Sequence, residues 1–219
     1  MEAILLQQLK QSSDLPQVLE ELTSFWEDEQ RRRAEFYDWV TPDVKAEFIN
    51  GEVIIHSPAR NRHLDAVGNI YSVLRAFAKV HQLGEVKTKK AMCRFTRSDY
   101  EPDVCFFDAA TAQPFTQDTT IFPVPQFIVE VLSPSTEERD RGTKFDDYER
   151  HGVGEYWLVD PAIQSIEQYL LRSSRYELTN TWQLGDAMNS PTFPGLRIEI
   201  DVFFDDLEAI RTVGQIVSG

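Results

Sequence analysis

The sequence predicts an α/β fold, and three observations carry the prediction. The pair Asn50-Gly51 stands between two short apolar runs, which is the strongest local signal for a β-hairpin. Residues 61–80 place apolar side chains at three- and four-residue spacing, as amphipathic helices do. A strand, a helix and a second strand then follow between Phe127 and Asp160. Helices and strands therefore alternate along the chain.

The same patterns justify the other elements in chain order. Residues 15–33 predict an amphipathic helix that packs on the outside of the domain, and Ser135 with Glu138 predicts a capping box for a helix that runs to Arg150. The tail predicts a short strand at 196–200 and a short acidic helix at 205–210. Further strands are expected at 45–49, 52–56, 85–88, 91–95, 103–107, 127–132, 155–159, 165–171 and 175–179.

Length and composition favour one folded domain. The chain has 219 residues, of which 42% are hydrophobic, enough apolar surface to exclude a disordered chain. We expect residues 1–40 to form a helical extension and residues 41–219 a single domain. With only two cysteines, no apolar run of membrane-spanning length and no basic leader, the sequence predicts a cytoplasmic protein that has no signal peptide and does not contact a membrane.

The net charge of −14 counts against a protein that coats nucleic acid without specificity. Such binding depends on neutralising phosphates with positive side chains. A divalent cation held by clustered carboxylates would reverse the sign that a phosphate meets locally. The charge therefore still permits a metal-dependent site.

Two carboxylates are the first candidates for chemistry. Asp103 follows Pro102 at the mouth of one predicted strand, and Glu130 lies inside the apolar run 127–132. Burying a lone carboxylate there is costly unless a partner compensates its charge. Neighbouring strands could present both groups to one oxygen-liganded cation, and Mg²⁺ or Mn²⁺ suits them.

The helix after Glu130 adds a candidate cation. Asp140, Lys144 and Tyr148 are spaced by four residues, so they project from one helix face. Lys144 could overhang the carboxylates, where its charge would stabilise the negative charge that a phosphodiester gains during hydrolysis. The prediction is that Lys144→Ala abolishes cleavage and leaves metal affinity nearly intact.

Structural alternatives stand beside each of these assignments. Asp103 could be a turn residue that bonds its own backbone. Glu130 could form a structural ion pair with Lys144 or Arg94. Lys144 could be a solvated lysine paired with Asp140.

Several of these residues also carry a resemblance to a known family. The segments 101–104, 129–136 and 152–161, together with Asp140, Lys144 and Tyr148, closely resemble the restriction-endonuclease family called Uma-two, of the PD-(D/E)XK nuclease superfamily. The similarity extends over about residues 44–180 and includes Glu47. The N-terminal helix lies outside it.

The resemblance implies a restriction-endonuclease-like core, with a mixed central sheet flanked by helices. The extra N-terminal helix is predicted from the apolar spacing of residues 15–33 alone. It implies a DNA endonuclease that depends on Mg²⁺ or Mn²⁺, with Asp103 and Glu130 as metal ligands. Glu47 also matches the family, and we expect it to be a third ligand or to position the attacking water, although its strand could equally face solvent. The superfamily pattern expects a lysine two residues after the glutamate, where this chain has Leu132. We expect Lys144 to take that role. A homodimer is left open.

Two other functions remain compatible with the sequence. Leu132 and the acidic composition are also what a binding or regulatory module would show if it kept the fold and lost turnover. A hydrolase of small phosphate esters is a further alternative, and a cleft too narrow for a duplex would favour it.

Overall fold

A computed structural model describes residues 2–41 and 43–219 of the chain. Its helices are α1 (Glu2–Gln11), α2 (Leu15–Trp39), α3 (Asn61–Val80), α4 (Ala109–Ala112), α5 (Glu137–Arg141), α6 (Thr143–Arg150) and α7 (Asp206–Ser218), with a 3₁₀ turn at Ile200–Phe203. None of the helices in these ranges is both long and apolar enough to cross a bilayer.

The same described residues also form thirteen strands. They are β1 (Ala46–Ile49), β2 (Glu52–Ile55), β3 (Gly84–Thr88), β4 (Met92–Arg94), β5 (Ser98–Tyr100), β6 (Val104–Asp108), β7 (Ile121–Phe122), β8 (Phe127–Val131), β9 (Glu155–Asp160), β10 (Ser165–Arg172), β11 (Arg175–Gln183), β12 (Ala187–Asn189) and β13 (Arg197–Glu199).

The larger sheet has six strands in the order β11-β10-β9-β8-β6-β3. Only β8 and β9 run parallel, and the helical segment α5–α6 connects them. A second sheet has the order β2-β1-β5-β4-β7, and β12 pairs with β13. The predicted mixed α/β fold is confirmed.

Helices α3 and α6 cover opposite faces of β8. Val129 and Val131 join the core cluster of α3, whereas Ile128 and Leu132 join the cluster that contains Tyr148 of α6. Alternation along a strand sends successive side chains to opposite faces, so Glu130 belongs to the face of α6. Each fully buried aliphatic or aromatic side chain adds roughly 1.5–3 kcal/mol to this packing.

The predicted hairpin and long helix are confirmed. Strands β1 and β2 pair in antiparallel register with Ile49 opposite Glu52. Asn50 and Gly51 both have positive φ, 50° and 90°, as a two-residue turn of this kind requires.

The predicted single helix from Ser135 to Arg150 is wrong in two respects. The helix is interrupted at Gly142, which separates α5 from α6. The residue before α5 is Thr136, and it makes no side-chain cap. The Ser133 hydroxyl instead contacts the hydroxyls of Ser135 and Thr136, at 3.1 and 3.0 Å, so these groups are bonded to one another.

The ends of the chain also differ from the prediction. Two helices, α1 and α2, precede β1. At the other end, α7 continues beyond the predicted segment 205–210 to Ser218, because it packs against α3. The second half of α2 is tied to the smaller sheet by Arg33, which donates to both Asp99 oxygens at 2.6 and 2.7 Å and to the Phe95 carbonyl at 2.8 Å. The boundary at residue 40 stays a prediction.

Candidate active site

Strand register brings Asp103 and Glu130 to the same face of the larger sheet. Strands β6 and β8 pair in antiparallel register, with Val104 opposite Val129 and Cys105 opposite Ile128. Continuing that register by one residue places Asp103 opposite Glu130. Directly opposite residues of an antiparallel pair project to the same side. Both side chains are buried, and both line one cleft.

The cleft has a volume of about 650 Å³. Four buried carboxylates, which we call the acidic floor, belong to this site: Asp103, Glu130 and Asp140 line the cleft, and Glu47 contacts Lys144, which also lines it. The acidic residues that line it are Asp43, Asp103, Glu130, Glu137, Asp140 and Asp160, and the basic ones are Lys45, Arg60, Arg62, Lys89, Lys90 and Lys144, with His56 and His63.

Glu130 receives two hydrogen bonds from α6 on one oxygen. The Lys144 ammonium donates to Oε1 at 3.0 Å, and the Tyr148 hydroxyl donates to it at 2.8 Å. Within the described chain, no group donates to Oε2. The pKa of Glu130 is raised to about 8, and burial is the largest cause. Lys144 lowers the pKa, but the nearby carboxylates of Asp140, Asp103 and Glu47 act together with burial and outweigh it.

Lys144 is the cation at the centre of the acidic floor. Its ammonium lies 3.0 Å from Glu47 Oε1, 3.0 Å from Glu130 Oε1 and 3.4 Å from Asp140 Oδ1, with 2% of the residue exposed. Burial alone would lower the pKa of Lys144, but these three carboxylates outweigh it and hold the pKa well above its usual value. The alternative of a solvated lysine is wrong, since Lys144 is buried.

The ammonium therefore reaches Glu130 from a helix. Leu132 is one residue past the end of β8, and it packs in the hydrophobic cluster on the Glu130 side of the sheet. The position where the superfamily pattern has a lysine is thus filled by an apolar side chain. Lys144 supplies an ammonium group beside Glu130 from α6.

Glu47 is a fully buried partner of Lys144. Its Oε1 accepts the Glu101 backbone N–H at 2.9 Å in addition to the Lys144 ammonium, and its Oε2 lies 3.0 Å from His56 Nε2. Burial acts to raise the pKa of Glu47, yet Lys144 and His56 outweigh it and lower the pKa to about 2. Both oxygens are engaged by protein groups.

Asp103 is held by backbone and by two basic side chains. Its Oδ2 accepts the Val131 N–H at 3.0 Å, and its Oδ1 lies 3.4 Å from Lys45 Nζ and 3.4 Å from His63 Nε2. Burial opposes ionisation, but His63 and Lys45 outweigh it and lower the pKa of Asp103. The Asp103 carboxylate therefore bonds the backbone of β8 and not its own, so the reading of it as a simple turn residue is wrong.

The donor chemistry fits one hard cation. Among the described residues, no three Asp, Glu, His or Cys side chains are close enough together to hold a metal ion. Mg²⁺ does not require three, because it is bound by one or two carboxylates and keeps several waters and substrate phosphate oxygens. Asp103 and Glu130, on one face of the sheet and at the cleft, match that requirement.

Three residues that contact the site, Lys45, His56 and His63, were not predicted from the sequence. Lys45 lies two residues before Glu47, and the two-residue period of a strand signals that both face the same side. His63 opens α3 and His56 follows β2, and nothing in their spacing signalled contacts with Asp103 and Glu47. Arg94, the alternative partner of Glu130, pairs instead with Asp99 at 4.0 Å.

Comparisons with known proteins agree with this fold. Residues 33–202 match the family Uma2, described as "Putative restriction endonuclease". An uncharacterized protein of Synechocystis is 28% identical over 200 residues, covering 90% of this chain and 96% of the relative. A solved structure described as a "putative nuclease" from Anabaena variabilis has a TM-score of 0.67 at 20% identity, covering 78% of this chain and 96% of the other.

Proposed function

Because the chain belongs to the Uma2 restriction-endonuclease family, we propose that it is a DNA endonuclease that depends on Mg²⁺ or Mn²⁺. The proposed metal ligands are Asp103 and Glu130, and Lys144 is the proposed catalytic cation. The observation that carries the proposal is the strand register, which puts both carboxylates on one face of the sheet. The Lys144 ammonium lies 3.0 Å from one of them.

The carboxylates are prepared for a cation in different ways. Asp103 is ionised and fixed by the Val131 N–H, so it offers a preorganised anionic ligand. Glu130 holds its proton more firmly, with a pKa of about 8, and has one oxygen without a protein donor. Bringing a divalent charge beside Glu130 would favour its ionised form. Cation binding is therefore expected to release a proton.

Lys144 has the position and charge to act on a phosphate. Three carboxylates keep it protonated, and it lines the same cleft as both proposed ligands. Its ammonium would stabilise the negative charge that builds on the phosphate during hydrolysis. When bound, the divalent cation would polarise a phosphoryl oxygen and lower the pKa of a water molecule.

Glu47 is proposed to position Lys144. Both Glu47 oxygens have protein partners, and one of them is Lys144 itself at 3.0 Å. The third-ligand role for Glu47 stays a prediction. A homodimer and a cytoplasmic location also stay predictions.

The test is cleavage of supercoiled plasmid by the pure protein with Mg²⁺, with Mn²⁺ and with a chelator. Asp103→Asn and Glu130→Gln keep side-chain size and should each abolish nicking. Asp160→Asn is a matched control, because Asp160 also lines the cleft but lies outside the proposed ligand set. It should retain cleavage.

The two alternatives give different outcomes in the same assay. Mn²⁺ binding without cleavage of plasmid, single-stranded or branched DNA would contradict an endonuclease and favour a binding or regulatory module. Hydrolysis of small phosphate monoesters with intact plasmid would favour the small-ester hydrolase. Equal cleavage by the wild type and both carboxylate variants would refute the assigned site.

A further inference from the structure

Uncompensated positive charge is concentrated at the mouth of the cleft. Arg60, Arg62, Lys89 and Lys90 all line it and are exposed. Within the described ranges, none of the four forms an ion pair or a side-chain hydrogen bond. Most other Lys and Arg side chains are paired with carboxylates, including Arg141 beside the site, which contacts Glu137 and Glu167. A cation without a carboxylate partner is available to contact an anion.

The four cations stand on two separate elements. Arg60 is the residue before α3 and Arg62 lies in its first turn, which contains no acidic side chain. The positive end of the helix dipole adds to their charge. Lys89 and Lys90 form the bend that follows β3, and Thr88 anchors that bend by donating to the Asp103 carbonyl at 2.6 Å. The second pair is thus fixed relative to a proposed metal ligand.

The backbone of the bend indicates that the lysines are not there for stability. Lys89 and Lys90 have φ values of 39° and 62°, a left-handed conformation that favours Gly and Asn. Asn-Gly is the usual pair where two successive residues need positive φ. A chain that keeps two lysines in this conformation retains charge where another sequence would fit the backbone better.

We propose that Arg60 with Arg62 and Lys89 with Lys90 form two arms of a clamp that binds the backbone phosphates of duplex DNA on either side of the scissile bond. The proposal rests on the proposed function, because the cleft that both arms line is the site assigned to hydrolysis. It names the substrate class and the residues that bind it. Such a clamp would let a chain with a net charge of −14 hold DNA locally.

The lining of the cleft favours a duplex over a single strand. Proteins that bind single strands stack the bases on aromatic side chains. No Phe, Tyr or Trp is present among the described residues that line this cleft. Contacts to phosphates alone fix a duplex without reading its sequence.

The experiment measures binding of a fluorescent duplex oligonucleotide by anisotropy, in chelator, across a series of salt concentrations. The arm variants are Arg60→Gln/Arg62→Gln and Lys89→Asn/Lys90→Gly. The second supplies the residue pair that the bend prefers, so it should unfold at a temperature no lower than the wild type. The control is Arg150→Gln/Arg197→Gln, which removes two exposed cations that lie outside the cleft and form no ion pair with any described residue.

Each arm variant should weaken duplex binding and reduce the slope of log Kd against log salt by about two, or one per lost phosphate contact. The control should bind like the wild type. A single strand of the same length should bind more weakly than the duplex. Wild-type affinity in both arm variants, an equal loss in the control, or tighter binding of single strands would overturn the clamp.

The chelator separates this proposal from the hydrolytic one. Binding that depends on both arms, without plasmid cleavage in Mg²⁺ or Mn²⁺, would support the clamp and refute the endonuclease. Cleavage that depends on Asp103 with unaltered binding by the arm variants would refute the clamp and support the endonuclease. In an active enzyme, the arm variants should raise KM and leave kcat nearly unchanged, because phosphate contacts made equally in ground and transition states change only binding.

Discussion

Replacing Lys144 with methionine tests whether this ammonium holds the acidic floor together. The variant keeps an unbranched side chain of similar length and removes the charge that lies within 3.4 Å of Glu47, Glu130 and Asp140. Removing one partner of a buried ion pair costs about 3–5 kcal/mol, because an uncompensated charge stays behind. For a chain of this size that loss lowers Tm by roughly 10 °C.

The assay is thermal and urea unfolding of the metal-free protein at neutral pH. Lys79→Met is the matched control, because Lys79 pairs with Glu85 at the surface and should lose less than about 1 kcal/mol. The double variant Glu47→Gln/Lys144→Met should be more stable than Lys144→Met, since it removes the ionised carboxylate that loses its ammonium partner. A Lys144→Met protein as stable as the wild type, or a double variant no more stable than the single, would show that the Lys144 ammonium does not compensate the buried carboxylates.

Three further predictions concern pH, catalysis and the fold. In chelator, the free energy of unfolding should fall as pH rises from about 5 towards 8, by about 1.4 kcal/mol per pH unit for each proton concerned. Burial raises the pKa of folded Glu130 to about 8 and that of Glu101 to about 7, whereas the unfolded carboxyls release their protons near 4.5. Glu130→Gln should remove much of that slope, and an unchanged slope would contradict the pKa assignment. Lys144→Ala should abolish plasmid cleavage and leave Mn²⁺ affinity, measured by titration calorimetry, nearly intact, and unchanged turnover would eliminate its catalytic role. Gly84→Ala should lower stability by about 3 kcal/mol in urea unfolding, because φ is 152° and an added Cβ would lie 2.1 Å from the Phe107 carbonyl oxygen. Wild-type stability in that variant would contradict the close approach of β3 and β6 at Gly84.

Patterns with a strong local cause were predictable from the sequence. The Asn50-Gly51 turn needs positive φ at both residues, and the apolar spacing of residues 61–80 fixes which face of α3 is buried. Glu130 stood out because a single carboxylate interrupts an apolar strand. The resemblance of the surrounding sequence to a known family then indicated the same residue.

Features that depend on tertiary contacts were not predictable in the same way. Strands β5 and β7 have three and two residues, and pairing with other strands stabilises them more than their own propensity does. The break at Gly142 divides a segment whose spacing fits one helix. Lys144 could be placed near Glu130 by helical spacing, but its contact with Glu47 joins residues 97 positions apart in a fold that the sequence does not reveal.

Whether Asp103 and Glu130 share one cation is tested by Mn²⁺ binding to the metal-free protein, measured by electron paramagnetic resonance on the wild type and on matched variants. We expect the Mn²⁺ site to be lost in both Asp103→Asn and Glu130→Gln and kept in Glu137→Gln, a change at another cleft-lining carboxylate. Mn²⁺ affinity that is the same in all four proteins would contradict a cation shared by Asp103 and Glu130.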